Sequence, residues 1–164
     1  KQGLNNLRDL KYEDAEVNFL DCLKLAPDEI SIIQNLIGIY IETEQKNKLK
    51  ILLKSYDHLF HKNELQYGYA FDQYFDHNYS KSIEICKKLL TFDKFKNSIT
   101  DLLASNFIRQ KLFLQALMIY KNKLKEKKDY IIYYNIGSLF LTIGRIKKAL
   151  YYFKKSENLK KIKN

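Results

Sequence analysis

The sequence predicts an all-α fold, a solenoid of stacked antiparallel helix hairpins. One residue position recurs at intervals of 33 or 34, occupied in order by Ala15, Leu49, Ser82, Ala116 and Ala149. A period of this length is typical of helical hairpins that bury their apolar faces against their neighbours. One proline and five glycines suit long helices with short turns, and a hydrophobic content of 46% supplies a core.

Five predicted hairpins cover the chain as a single solenoid. Their predicted ranges are 1–29, 30–62, 63–96, 97–129 and 130–164. The first is cut short at its start, and the chain begins with Lys rather than Met, so we expect a fragment of a longer protein. Small residues mark the points where the two helices of a hairpin cross most closely, because packed helices lie only about 8–10 Å apart. Leu49 breaks this rule and predicts a wider crossing in the second hairpin.

Each hairpin has its own set of marker residues. In order they are Gly3, Tyr12, Ala15, Phe19 and Pro27; Leu36, Tyr40 and Leu49; Ala70, Tyr79 and Ser82; Leu103, Ala104, Phe107, Phe113, Ala116 and Tyr120; Tyr133, Ile136, Gly137, Phe140, Gly144, Ala149 and Phe153. Gly137 predicts a close approach of two helices, and Gly144 predicts a tight turn. The third hairpin is the least regular, because Ser82 replaces alanine and Cys86 replaces an aromatic residue.

This pattern resembles the tetratricopeptide repeat (TPR), whose aromatic, Leu-Gly, Tyr, Ala, Phe and Pro signature spreads over about 34 residues. The second hairpin departs from it, with Ile37 in place of the usual glycine and Gly38 one residue late. The resemblance implies a right-handed superhelical stack. It also implies that the first helix of each hairpin lines a concave groove, which receives a peptide segment or a partner helix.

Helical spacing selects the groove positions that do not belong to the core. They are Gln34, Asn35, Ile41, Tyr67, Phe71, Tyr74, Asp101, Ser105, Ile108, Tyr134, Asn135 and Ser138. The stripe of Tyr67, Phe71 and Tyr74 is either a binding surface or filler of the core between hairpins. By resemblance, Asn35 and Asn135 belong to an asparagine ladder that grips peptide backbone, but this ladder is interrupted at the third and fourth hairpins. The groove positions contain no lysine or arginine, so we expect no tight binding to acidic chaperone tails.

Positive charge is concentrated in the second half of the chain. Residues 1–82 carry a net charge of −3, and residues 83–164 carry +13. The lysines fall mainly on the second helices of hairpins, where a solvated face is the favoured interpretation. RNA or an anionic surface is an alternative partner that the sequence does not favour, because its aromatic residues follow the core period.

The sequence shows no catalytic or metal-binding motif, so we expect neither enzyme activity nor a cofactor. His58 and His61 have no further ligand nearby, and His77 falls in a predicted turn. Cys22 and Cys86 lie on apolar stripes, and we expect both to be buried. Reduced thiols, with no apolar run that could span a membrane, favour a cytoplasmic location.

The resulting prediction is a noncatalytic protein-interaction scaffold that binds a peptide segment or partner helix in its groove. Its apolar or aromatic anchors are expected near Tyr67, Phe71 and Tyr74. The alternative is a substrate-presenting or regulatory region of a larger enzyme, such as a glycosyltransferase. The sequence leaves the partner's identity and the oligomeric state open.

Overall fold

The computed structural model describes residues 11–163, which are helical apart from short connections and confirm the all-α prediction. The α-helices in this range are α1 (Tyr12–Leu25), α2 (Ile30–Glu42), α3 (Lys46–Ser55), α4 (Asn63–Phe75), α5 (Tyr79–Leu89), α6 (Lys96–Arg109), α7 (Phe113–Glu126), α8 (Tyr130–Thr142) and α9 (Ile146–Lys163). Two short 3-10 helices, Asp57–Leu59 and Asp93–Phe95, precede α4 and α6. Within the described range, no helix has both the length and the apolarity needed to cross a bilayer.

The chain divides into two compact units, with the boundary between Ile99 and Thr100 inside α6. The N-terminal unit contains α1 to α5 and the start of α6. Its core includes the fully buried side chains of Ile33, Leu36, Ile37, Leu49 and Leu65. The C-terminal unit has its own core, which includes Ala104, Ala116, Ile136, Leu139 and Ala149. Each unit therefore buries an apolar cluster of its own.

The turn between the two helices of a hairpin has the same geometry at four places. A residue with positive φ follows the first helix at Glu44, His77, Lys111 and Gly144. In each turn, the backbone N–H of the next residue donates to the carbonyl five residues earlier, at 2.8–2.9 Å. This pairing is the Schellman arrangement that ends many helices. The predicted tight turn at Gly144 thus recurs where the sequence has no glycine.

All five residues of the recurring position are completely buried. Ser82 is accommodated there because its hydroxyl donates to the backbone carbonyl of Ala70 at 2.7 Å. In the last hairpin, a Cβ added to Gly137 would lie 2.7 Å from two ring atoms of Phe153. Gly137 therefore permits the close helix approach that the sequence predicts.

The second hairpin compensates for its two large residues in the helix that follows. Ile37 and Leu49 are both fully buried. Across from them, a Cβ added to Gly68 of α4 would lie 2.9 Å from Cδ2 of Leu53 and 3.2 Å from two atoms of Ile37. Gly38 has no such neighbour within 4 Å. The glycine that makes room for the second hairpin is thus Gly68, which belongs to the third.

The structure corrects the prediction that both cysteines are buried. Cys86 is buried, whereas Cys22 is exposed. The buried apolar residues of α1 are Ala15, Phe19 and Leu23, spaced four residues apart, and Cys22 lies beside them. Cys22 is therefore next to the buried apolar residues of α1 and not one of them.

Candidate functional site

A polar cleft in the N-terminal unit brings together residues from four helices and a turn. We call it the polar cleft; its volume is about 440 Å³ and it is lined by Tyr12, Gln34, Asn35, Gly38, Ile39, Glu42, Tyr67, Lys94, Phe95 and Ser98. Amide, carboxylate, ammonium and hydroxyl groups therefore surround a single space that has an aromatic side. Such a mixture can bind both the backbone and the side chains of a peptide.

Helix α2 supplies one wall of the polar cleft. Its N-terminus is capped by Glu29, whose carboxylate accepts a hydrogen bond from the backbone N–H of Ser31 at 3.3 Å. Ile33, Leu36 and Ile37 of α2 are buried, while Gln34 and Asn35 are half-buried and Glu42 is exposed. The side-chain amide of Asn35 donates to the backbone carbonyl of Ser31 at 2.8 Å. This bond fixes the Asn35 amide at the edge of the cleft.

Tyr67 of α4 supplies the aromatic side. Its ring stacks on that of Phe95, with centroids 5.0 Å apart, and meets the edge of Phe71 at 5.2 Å. The Tyr67 hydroxyl lies 2.8 Å from the hydroxyl of Ser98 in α6. Burial raises the pKa of Tyr67 above its ordinary value, and the negative charge of Glu42 acts in the same direction. Tyr67 is therefore a neutral hydroxyl held in a fixed position.

Lys94 brings a positive charge to the polar cleft from the 3-10 turn before α6. Its ammonium group lies 2.9 Å from a carboxylate oxygen of Glu64 and 5.4 Å from the centroid of the Phe95 ring. Burial alone favours protonated Glu64, but the hydrogen bonds from Lys94 and from the Glu64 backbone N–H outweigh it and hold the pKa of Glu64 below its ordinary value. The result is an ion pair beside the cleft.

The polar cleft gathers three of the predicted groove residues, Gln34, Asn35 and Tyr67. Ile41 and Phe71 are half-buried and pack against the core of the N-terminal unit. Tyr74 lies near the α4–α5 turn, where its ring is 6.0 Å from Phe75 and 5.8 Å from Tyr79. Of the three aromatic residues in the predicted stripe, Tyr67 thus lines the cleft, Phe71 packs against the core and Tyr74 lies near the turn.

The remaining predicted groove residues belong to the C-terminal unit. Asp101 is exposed and forms an ion pair with Lys123 at 2.6 Å. Ile108 packs against the core of this unit. Tyr134 is exposed, with its ring 5.4 Å from that of Phe153. The others are half-buried: Ser105, Asn135 and Ser138.

Sequence reasoning did not select the other residues that line the polar cleft, which are Tyr12, Gly38, Ile39, Glu42, Lys94, Phe95 and Ser98. Lys94 and Phe95 belong to the short 3-10 helix that joins the third and fourth hairpins, and Ser98 lies in the first turn of α6. The groove positions chosen from sequence contained no lysine, but Lys94 reaches the polar cleft from this turn. A useful signal would have been the pairing of Lys94 with Glu64, about one repeat apart in the chain.

The cysteine and histidine side chains that could act in catalysis or metal binding are dispersed. Burial raises the pKa of the Cys86 thiol to about 12, so it stays protonated at neutral pH. The His58 ring lies 3.2 Å from Asp28, and the ring of His77 lies 2.8 Å from the Tyr79 hydroxyl. Among residues 11–163, no group of three or more His, Cys, Asp or Glu side chains is placed to hold a metal ion.

Comparison with known proteins identifies the fold. No family model matches the chain, and no curated protein matches its sequence. A crystal structure of MamA has 17% sequence identity and a TM-score of 0.71, covering 99% of this chain and 96% of MamA. A tetratricopeptide repeat protein from Parabacteroides merdae ATCC 43184 has 19% identity and a TM-score of 0.74, covering 95% of this chain and 62% of its own. The protein therefore has a TPR-like helical-repeat fold.

Proposed function

We propose that this protein is a noncatalytic protein-interaction scaffold that binds an extended peptide segment in the polar cleft. The observation that carries the proposal is the placement of the Gln34 and Asn35 amides beside Tyr67 in one cleft. An extended peptide exposes unpaired N–H and C=O groups, and a side-chain amide can satisfy both kinds. The Tyr67 ring offers an apolar surface to a peptide side chain.

The dimensions of α2 set the length of peptide that fits. Gln34 and Glu42 both line the polar cleft, and their separation along the helix is about 12 Å at 1.5 Å per residue. An extended chain advances about 3.4 Å per residue, so this wall contacts about four residues. A basic side chain near the Glu42 end would pair with its exposed carboxylate.

The charges of the polar cleft disfavour an acidic tail as its ligand. Lys94 is already paired with Glu64, so an incoming carboxylate would have to compete with that ion pair. Glu42 adds negative charge to the same cleft. A neutral or basic peptide avoids both costs, and we therefore propose that class of ligand.

The state of Cys86 supports a noncatalytic role. A cysteine nucleophile acts as its thiolate, which burial makes unfavourable at Cys86. Cys22 is exposed on α1, and it is not among the residues that line the polar cleft. We accordingly assign the cleft to binding alone.

A selection from a random peptide library tests the proposal. The protein is immobilised, and the selected peptides are measured by fluorescence anisotropy against a Gln34→Ala/Asn35→Ala variant. We expect at least about a fivefold loss of affinity, because about two hydrogen bonds of 0.5–1.5 kcal/mol each are removed. Asn135→Ala, at the equivalent position of the last hairpin, is the matched control and should bind like the parent.

The selected sequences provide an independent readout. We expect enrichment of lysine or arginine at one end of the motif, and reduced affinity of these peptides for a Glu42→Gln variant. Peptides that bind the Gln34→Ala/Asn35→Ala variant as tightly as the parent would refute the assignment of the polar cleft. Enrichment of acidic peptides would refute the assignment of its ligand class.

A further inference from the structure

One exposed position recurs on the second helices of the hairpins. It lies two residues after the recurring buried position, and it is occupied in order by Val17, Ile51, Glu84, Met118 and Tyr151. The exposed fractions are 59% for Val17, 67% for Ile51, 65% for Met118 and 57% for Tyr151. Scattered apolar residues are normal on a protein surface, but their recurrence at one equivalent position indicates an interaction surface.

Lysine recurs three residues later on the same helices. Exposed lysines occupy this position in the second to fifth hairpins, and they are Lys54, Lys87, Lys121 and Lys154. A spacing of three residues places each lysine next to the preceding exposed side chain on the helix surface. In the second, fourth and fifth hairpins, an apolar or aromatic side chain therefore lies beside a positive charge.

The two compact units differ in charge. Residues 1–99 contain 14 basic and 15 acidic side chains, a net charge of −1, whereas residues 100–164 contain 15 basic and 4 acidic ones, a net charge of +11. Lys121 and Lys154 therefore belong to a strongly basic unit, which attracts anionic partners. The N-terminal unit has the same repeat pattern without this excess of positive charge.

Helices α7 and α9 present the pattern on one side of the C-terminal unit. Both helices bury their other side in the same core, which includes Ala116 and Ala149. Met118 and Tyr151 occupy equivalent positions of successive hairpins, so they lie on the same side of this unit. We call this surface the basic face; it consists of Leu114, Met118, Lys121 and Lys125 of α7 and Lys147, Tyr151 and Lys154 of α9.

We propose that the basic face binds the surface of an anionic lipid bilayer. Its exposed lysines contact the phosphate and carboxylate groups of anionic lipids, which attract clustered lysines near the membrane surface. Leu114 and Met118, which are 73% and 65% exposed, enter the boundary between headgroups and acyl chains. Tyr151 suits the headgroup level, because its ring is apolar and its hydroxyl is polar. A contact of this kind lies on the membrane and requires no spanning helix.

The aliphatic residues of the basic face favour a bilayer over single-stranded nucleic acid. Nucleic acid strands bind basic surfaces on which aromatic side chains stack against the bases. Leu114 and Met118 have no ring to stack, and Tyr151 alone could do so. A bilayer thus accounts for the exposed apolar side chains and the lysines together, whereas nucleic acid accounts for the lysines alone.

The basic face is separate from the polar cleft. The residues that line the polar cleft all belong to the N-terminal unit, and those of the basic face all belong to the C-terminal unit. Membrane binding therefore does not depend on peptide binding in the polar cleft, and each can be tested without the other.

Co-sedimentation of the complete chain with lipid vesicles tests the charges. We expect binding to phosphatidylcholine vesicles that contain about one third phosphatidylserine, much weaker binding to pure phosphatidylcholine, and release when salt is added. Lys121→Glu/Lys154→Glu should weaken binding at least about tenfold, because each lysine near an anionic surface contributes about fivefold. Lys54→Glu/Lys87→Glu, at the equivalent positions of the N-terminal unit, is the matched control. It gives the chain the same net charge and should bind like the parent.

A polarity-sensitive thiol dye tests whether the apolar side chains enter the bilayer. Met118→Cys and Ile51→Cys are each made in a Cys22→Ser background, so that the dye reacts with the introduced thiol while Cys86 stays buried. Both labelled positions are exposed, so each variant should keep the melting temperature of the parent. On anionic vesicles, the emission of the dye at position 118 should shift to shorter wavelength, and that of the dye at position 51 should not.

Several results would overturn the proposal. A parent that does not bind anionic vesicles, a Lys121→Glu/Lys154→Glu variant that binds like its control, or a dye at position 118 that does not shift would each do so. Binding to polyuridine that depends on Lys121 and Lys154, in a protein that anionic vesicles do not retain, would assign the basic face to nucleic acid instead.

Discussion

Gly68 provides a quantitative test of the packing between α4 and the second hairpin. A Cβ at this position would lie 2.9 Å from Cδ2 of Leu53 and 3.2 Å from two atoms of Ile37. Overpacking a core by one methyl group typically costs about 1–3 kcal/mol. Alanine also gains about 1 kcal/mol over glycine inside a helix. We therefore expect Gly68→Ala to lower the free energy of unfolding by about 1 kcal/mol.

Gly38→Ala is the matched control, because Gly38 lies inside a helix but has no atom within 4 Å of an added Cβ. Only the preference for helix remains at that position. We expect Gly38→Ala to raise the free energy of unfolding by about 0.5–1 kcal/mol. Both values can be measured by urea denaturation followed by far-UV circular dichroism. The same substitution should thus have opposite signs at two glycines.

A double-mutant cycle tests whether Leu53 is the cause. Leu53→Val removes Cδ2, the atom nearest to the added methyl group, at a cost of about 1 kcal/mol. In that background Gly68→Ala should be neutral or stabilising, which corresponds to a coupling free energy of about 1–2 kcal/mol. Additive effects, or a Gly68→Ala variant as stable as Gly38→Ala, would refute the close-packing argument.

Other predictions concern single positions. Ser82→Ala should lower the free energy of unfolding by about 1 kcal/mol in urea titrations, because it removes a buried hydrogen bond to α4. Lys111→Gly should raise the melting temperature, since it relieves a positive φ that costs a side-chain-bearing residue about 1 kcal/mol. A thiol reagent at pH 8 should label Cys22 at once and Cys86 only after unfolding, because burial keeps Cys86 protonated. Ala116→Leu should cost about 1–3 kcal/mol by overpacking a completely buried position in thermal melts.

The helices were predictable because the helix crossings demand small residues at a fixed interval. That demand is a property of each hairpin alone, so it leaves a periodic trace in the sequence. The geometry of the turns was harder to predict from the sequence. Glu44, His77 and Lys111 have a positive φ like that of Gly144, yet their residue types do not predict it. There the hydrogen bonds of the Schellman turn hold a backbone conformation that side-chain preference opposes.

The candidate site was predictable only where helices build it. Gln34, Asn35 and Tyr67 were selected because helical spacing places them off the core side of α2 and α4. Lys94 and Ser98 escaped selection because their positions depend on a 3-10 turn whose length the repeat period does not specify. A carboxylate one repeat earlier, Glu64, fixes Lys94 in the cleft. Such long-range pairs have no short-range signature.

The close packing of Gly68 against the second hairpin also affects the polar cleft. Gly68 directly follows Tyr67, and its missing side chain lets α4 approach Ile37 and Leu53. That approach sets the position of the Tyr67 ring relative to Gln34 and its neighbours on α2. A methyl group at Gly68 that pushes α4 outward should therefore weaken peptide binding in the cleft. The loss should be reversed by Leu53→Val, although neither Gly68 nor Leu53 lines the cleft. Restored stability without restored binding would separate the two roles of this contact.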